Sequence, residues 1–196
     1  MAGRLRRTAN GAVSRNRQPR QEPTSLPIRM SPITCRVAAA NDVVEMARIR
    51  DLGGWTGGAS AERMALYVSG EHHPQHAREP RIIFVAEGEG SMIGYIAGHL
   101  TTRFGCDGEL QWLFVLPEHR GGGVASDLLR QLAAWFVSQA APKVCVNVEP
   151  ENMRARRFYE RHGARAMNEH WLVWPDISCA GVQRVAEIPS CDSAGD

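Results

Sequence analysis

From residue 33 onward the apolar and polar positions fall into regular periods, and before it they do not. Residues 33–37 read as a short strand. Asp42 with Glu45 three positions later is a capping-box signature, and Val43, Met46, Ala47 and Ile49 give the helix it opens, through Arg50, an apolar side. Gly53, Gly54, Gly57 and Gly58 break the chain around Trp55. Ser60 can cap a second helix over 61–68, which Gly70 ends, and a polar loop fills 71–80. Strand patterns follow at 81–86, 92–102 and 109–116. Gly88 and Gly90 make the first two a hairpin, and Pro117 ends the third. Val124, Leu128, Leu132 and Trp135/Phe136 recur at helical spacing over 124–139. A buried strand at 144–148 comes next, then a helix capped by Asn152, running to Arg161 and stopped by Gly163, then a strand at 171–174. Strands in series, followed by strand–helix–strand–helix–strand, predict a mixed α/β sheet with helices on its faces. Residues 177–196 show no period and read as a loose tail.

Composition narrows the picture. Of 196 residues, 43% are hydrophobic and 22% charged, enough to fill a core and too apolar for a disordered chain. No apolar run reaches the ~18 residues of a membrane span. Five cysteines without a C-x-x-C pair argue against a disulfide framework or a zinc ribbon and suit a reducing, cytoplasmic setting. The formal charge of +2 divides unevenly: residues 1–30 hold seven arginines against Glu22, so the remainder carries −4. Residues 1–31 are therefore expected to be a disordered basic extension. The segment lacks the apolar stretch of a signal peptide and the interleaved aromatics of a nucleic-acid arm, so it reads as solvated chain. Lys143 is the sole lysine, which rules out a phosphate loop built on Gly-Lys-Ser/Thr.

The stretch richest in chemistry is Val115-Leu116-Pro117-Glu118-His119-Arg120-Gly121-Gly122-Gly123-Val124-Ala125-Ser126. A strand ends, the chain turns through three glycines, and a helix begins. Amides at such a junction point outward where the helix dipole is positive, which makes an anion site suited to a pyrophosphate. The dinucleotide fingerprint is excluded, because the third glycine of G-x-G-x-x-G is missing. Alone, the junction fits a phosphate site or simply a tight turn.

A second segment, from Asn152 through Arg154, Ala155, Phe158, Tyr159 and Glu160 to Gly163 and Ala164, changes that balance. Together the two segments resemble the GNAT superfamily of acyl-CoA-dependent N-acyltransferases. The Arg/Gln-x-x-Gly-x-Gly/Ala loop of that family is matched at Arg120, Gly123 and Ala125. Its Asn-x-x-Ala-x-x-Phe-Tyr-Glu-x-x-Gly-Phe element is matched except at Ala164, where the family usually has Phe. The resemblance covers most of the chain and implies a GNAT-like domain over 32–176. It also implies a mostly antiparallel twisted sheet of about seven strands, helices on both faces and a splayed central strand pair.

The resemblance further implies that acetyl-CoA is the acyl donor. The amides of Gly121, Gly122, Gly123, Val124, Ala125 and Ser126 would hold its pyrophosphate, with Arg120 assisting by charge or by bracing the loop. The backbone of Leu113, Phe114 and Val115 would pair with the pantetheine arm, and Asn152 would lie near the sulfur. Acyl transfer needs a neutral amine, donors for the developing oxyanion and a proton for the departing thiolate. Tyr159 stands where the family keeps its general acid; the alternative is that it only packs beside Phe158. Glu109, at the start of the strand before the loop, is a candidate base or else a solvated edge charge. Strict alternation puts Glu109, Gln111, Leu113 and Val115 on one face. Other family members carry the base on the next strand, at the position of Asn147, which cannot serve.

Other clusters read as structural. His72, His73 and His76 sit in a loop with no helix to organise a metal, and no metal site is expected. His99 either satisfies the core or faces an acceptor. Trp55, Tyr95 and Trp112 could line an acceptor site or simply pack, and Cys145 reads as core. Arg154, Arg156, Arg157 and Arg161 give a basic helix face that could meet a phosphate or merely be solvated. The expected reaction is N-acetylation of a primary amine on a small molecule. The competing readings are a protein N-terminus or lysine as acceptor, or a non-catalytic acyl-CoA-binding module. The oligomer could be a monomer or homodimer, with no membrane or nucleic-acid partner.

Overall fold

The computed structural model describes residues 33–52 and 61–181. The basic segment at 1–31, the glycines around Trp55, the Ser60 cap and residues 182–196 lie outside the described residues. Seven strands form one sheet: β1 (Thr34–Val37), β2 (Ala77–Gly88), β3 (Ser91–Thr101), β4 (Gly108–Val115), β5 (Val144–Asn147), β6 (Arg165–Ala166) and β7 (Trp171–Trp174). Their order is β1-β2-β3-β4-β5-β7-β6. Every neighbouring pair is antiparallel except β4 and β5, which run parallel. Among the described residues four α-helices cover the sheet: α1 (Val43–Leu52), α2 (Ala61–Ser69), α3 (Val124–Ser138) and α4 (Met153–Arg161). None of the described helices is long and apolar enough to cross a membrane.

Two cores lie on the two faces. Met46, Ile49, Met64, Tyr67, Val85, Tyr95 and Leu116 pack together on the α1–α2 side. Ile96, Leu110, Leu128, Leu132, Phe136, Val146, Leu172 and Trp174 fill the other, under α3. Each such large apolar side chain contributes roughly 1.5–3 kcal/mol on burial. α3 sits close to the sheet because two facing strand positions are glycine. A Cβ on Gly98 would come within 2.9 Å of both Leu132 Cδ1 and Phe136 Cζ, and one on Gly108 would overlap the Phe136 ring.

Four details depart from the sequence reading. The polar loop is shorter than expected, because Ala77 and Arg78 pair with Thr101 and Leu100 as the start of β2. Asp42 does not act as the cap residue of α1. The chain already turns at residues 40–42, and the Asp42 carboxylate reaches back to the Ala39 N–H at 2.7 Å while Arg36 Nη1 donates to it at 2.7 Å. The tail is not loose at its start: Ile177–Gly181 form a 3-10 turn with Ile177 and Ala180 buried in the α3-side core. β6, two residues long, has no sequence period to reveal it.

The decisive departure is in β4. Leu110 pairs with Gly98 and Trp112 with Ala97, so Gln111 is an extra residue, a β-bulge. Beyond the bulge the faces exchange. Leu113 and Val115 now share the α3-side core with Leu110, while Trp112 and Phe114 pack on the α1–α2 side. Glu109 contacts His99, whose other ring nitrogen meets Tyr67 of α2, so it shares the side of Trp112 rather than that of Leu113. Alternation is blind to an inserted residue, which is why the strict pattern misassigned Glu109.

Candidate active site

β4 and β5 pair only from Gly108↔Val144 to Leu110↔Val146. Past the bulge β4 stays with β3, as far as Val115↔Gly94, and parts from β5. The strand edge from Gln111 to Val115 is thereby left without a β5 partner. A pocket of about 580 Å3 opens along this edge. Leu113, Phe114 and Val115 form one wall, Asn152, Ala155, Phe158 and Tyr159 the other, and the glycine turn with the start of α3 one end.

The turn works because of its backbone. Gly121 and Gly123 have φ of 85° and 90°, the left-handed region that side chains with a Cβ rarely adopt. Gly123 is the N-cap of α3 and offers no side-chain oxygen, so the first amides of the helix keep their N–H groups free of a capping side chain. Asp127 N–H already closes onto the Gly123 carbonyl at 3.0 Å, which leaves the preceding amides at the pocket end. Arg120 braces the turn: its Nε donates to the Val115 carbonyl at 2.8 Å, tying loop to strand. Burial, and then the like charge of Arg154, lower the pKa of Arg120. Arg120, Arg154 and Arg161 all line the pocket, and no carboxylate pairs with them among the described residues. An uncapped helix end beside unpaired guanidinium groups is a site for an anion with several oxygens.

Ser126 contributes differently from the glycines. The Phe158 carbonyl can only accept, so His162 Nδ1 carries the proton at 2.8 Å from it. With its proton on Nδ1, His162 can accept at Nε2 from the Ser126 hydroxyl, 3.0 Å away. That hydroxyl ties the start of α3 to the end of α4, and only the amide of Ser126 remains for a ligand. Asn152 likewise has one end committed: its Oδ1 caps α4 by accepting from Ala155 N–H at 3.1 Å. Tyr159 is 6% exposed, with its ring edge-on to Trp174 at 5.5 Å. Burial pushes its phenol well above the ordinary value, so it keeps its proton at neutral pH.

Residues 56–164 match the model of the acetyltransferase (GNAT) family. The chain belongs to that family. It is 31% identical over 97 residues to an uncharacterised N-acetyltransferase of Mycobacterium tuberculosis, a match covering 49% of this chain and 61% of the relative. The match thus spans about three-fifths of that relative's length. Two solved structures share the fold. PaiA N-acetyltransferase from Thermoplasma acidophilum, in complex with coenzyme A, superposes with a TM-score of 0.55 at 15% identity, over 72% of this chain and 97% of that one. A mutant of the spermidine N-acetyltransferase from Vibrio cholerae gives 0.53 at 16%, over 72% and 90%.

Within this GNAT fold, the expected site residues separate. Leu113, Phe114, Val115, Arg120, Gly121, Gly123, Ala125, Ser126, Asn152 and Tyr159 meet in the pocket. Gly122 is exposed outside its lining, and the Val124 side chain belongs to the core. Glu109 does not line the pocket either. It is 5% exposed on the α1–α2 side of β4, where Arg103 Nε donates to its Oε2 at 2.9 Å. Burial alone would raise its pKa, but the nearby His99 ring and the Arg103 guanidinium outweigh this and hold it below the ordinary carboxylate value. His119, Phe158 and His162 line the pocket without having been expected there, and of the basic helix face Arg154 and Arg161 line it too. The spacing of Arg154 and Arg161, seven apart on one helix face, was the available signal. Arg156 is on a different face and donates to the Glu169 carbonyl at 2.8 Å. The loop histidines take structural contacts: Arg81 donates to the His73 ring at Nδ1 over 2.8 Å, and the His76 carbonyl accepts from the Thr101 hydroxyl. Cys145 is fully buried and its thiol pKa is pushed up, as a core thiol's should be.

Proposed function

We propose that this protein is an acetyl-CoA-dependent N-acetyltransferase that acetylates a primary amine on a small molecule by direct attack in a ternary complex. The observation that carries the reading is the uncapped, left-handed glycine turn at one end of a pocket whose wall is an unpaired strand edge. Diphosphate oxygens would meet the free amides at Val124–Ser126 together with Arg120, Arg154 and Arg161. The edge of β4 at Leu113 and Phe114 would pair with the amide-bearing arm, since the Val115 carbonyl already accepts from Arg120. Bound acetyl-CoA supplies an activated acyl group, which passes to nitrogen as the C–S bond breaks.

Tyr159 would donate its proton to the departing sulfur; its burial keeps that proton available. Glu109, ionised at neutral pH, would take the proton that the attacking nitrogen loses, acting through water because it lies on the other side of β4. A small cationic acceptor is favoured by the −4 charge of residues 31–196 and by the fold shared with a spermidine acetyltransferase.

The reading is tested by thiol release from acetyl-CoA across a panel of small amines, peptides and lysine-containing proteins. Release should be fastest with a small amine. Tyr159→Phe should lower kcat roughly 10²-fold while CoA binding stays within about two-fold. Binding of CoA without release by any acceptor would leave a non-catalytic module, and a Tyr159→Phe rate equal to wild type would remove the phenol from the chemistry.

A further inference from the structure

Glu109 is backed by a buried polar line that the pocket chemistry does not use. His99, fully enclosed on β3, faces Glu109 across the β3–β4 pair, with Nε2 3.7 Å from Oε2. Its Nδ1 lies 3.1 Å from the Tyr67 hydroxyl, and Tyr67 is itself fully buried. His99 Nε2 is one of three buried side-chain polar atoms without a hydrogen-bond partner among the described residues. Buried polar atoms are rarely left so, and each exception calls for a physical explanation.

The protonation of this line follows from donor and acceptor counting. A buried phenol must donate, and His99 Nδ1 is the acceptor in reach of Tyr67. Nδ1 is therefore the bare nitrogen, which puts an N–H on Nε2, facing the Glu109 carboxylate. The opposite tautomer would set a lone pair against that carboxylate and leave the phenol proton without an acceptor.

We infer that Tyr67 and His99 are positioning residues, a tautomer lock that aims an N–H at Glu109 and keeps its carboxylate ionised. The inference rests on the proposed role of Glu109 as proton acceptor. Arg103 and Thr101 also face this carboxylate, and Cys106 and Cys145 lie near enough to feel its charge. Arg81, over the Tyr67 ring at 4.8 Å, and Glu79 act on the phenol. Arg103 stays in place in every variant below, so a change in Glu109 reports the His99 N–H.

Two readouts independent of turnover decide the matter. Long-range 1H–15N correlation on the full-length protein, with His99 assigned by its loss in His99→Gln, should show the proton on Nε2; a proton on Nδ1 would overturn the lock. The 13C carboxyl signal of Glu109 should titrate about 0.5–1 pH unit higher in His99→Leu and near wild type in His99→Gln, whose amide can still donate. An unmoved midpoint in His99→Leu, or equal shifts in both, would contradict the inference. If His99→Leu does not fold, the tautomer measured in the wild type decides alone. In activity, His99→Leu should move the acidic limb of kcat/KM upward by the same amount and leave the KM for acetyl-CoA unchanged. Glu109→Gln acting at full rate would instead refute the role of Glu109 itself while the tautomer result stands.

Discussion

In the proposed reading Arg120 serves a loop and a ligand together. Its Nε holds the Val115 carbonyl, and the rest of the guanidinium faces the pocket. Lysine keeps the charge but cannot fork between the two tasks. Arg120→Lys should therefore raise the KM for acetyl-CoA roughly five- to ten-fold, about 1–1.4 kcal/mol, with kcat little changed. A KM within error of wild type would mean that the bond to Val115 is dispensable. Single residues were unevenly legible. The glycines, Arg120, Asn152 and Tyr159 could be read because their types are demanded at fixed offsets. The Ser126–His162 bond could not, since its partners are 36 residues apart and meet only when α3 and α4 pack. Glu109 was recognised but misplaced, because its surroundings depend on the bulge at Gln111.

At the scale of elements, α3 approaches the sheet through Gly98 and Gly108, into whose missing side chains Phe136 fits. Gly108→Ala should cost about 1–3 kcal/mol by overpacking, measured as a fall in denaturant midpoint. Phe136→Leu should recover part of that loss, because the two changes share one space. Additive losses would show that α3 can shift without strain. The start of α1 gives a pH-dependent counterpart. The Arg36 hydrogen bond chiefly, with the Ala39 N–H assisting against burial, holds the Asp42 pKa below its ordinary value of 3.8. A depressed carboxylate stabilises the fold above the unfolded value and loses that contribution as pH falls through the folded one. Asp42→Asn should thus cost about 1 kcal/mol at pH 7, kept small by the 42% exposure of the Arg36 side chain, and nothing once both forms are protonated in acid. A deficit that persists in acid would point to packing rather than charge. Helix and strand order was legible because each long element carries its own period. The edges were not: β2 gains Ala77 and Arg78 from pairing with β3, and β6 exists only because β7 is there.

For the molecule as a whole, the proposed function rests on a sheet that fails to close. β4 and β5 pair for three residues, part after the bulge at Gln111, and leave a strand edge facing α4, with the glycine turn at the mouth of the gap. Periodicity showed a mixed sheet and the two motifs showed a family, but the gap is a relation between strands whose paired residues, such as Gly108 and Val144, are 36 positions apart, and it lies in no local pattern. The account therefore turns on whether the turn grips a diphosphate. The most direct measurement is calorimetric titration of CoA into the wild type and into Gly123→Asp, each checked for an unchanged far-ultraviolet spectrum. A Cβ at position 123 meets nothing within 4 Å, so the fold should persist, while the strained φ and the added negative charge act on the amides at the pocket end. The account predicts saturable one-to-one binding by the wild type and affinity weakened at least about 100-fold, more than 2.7 kcal/mol, in the variant. Equal affinity in the two proteins, or no binding of CoA by the wild type, would contradict it.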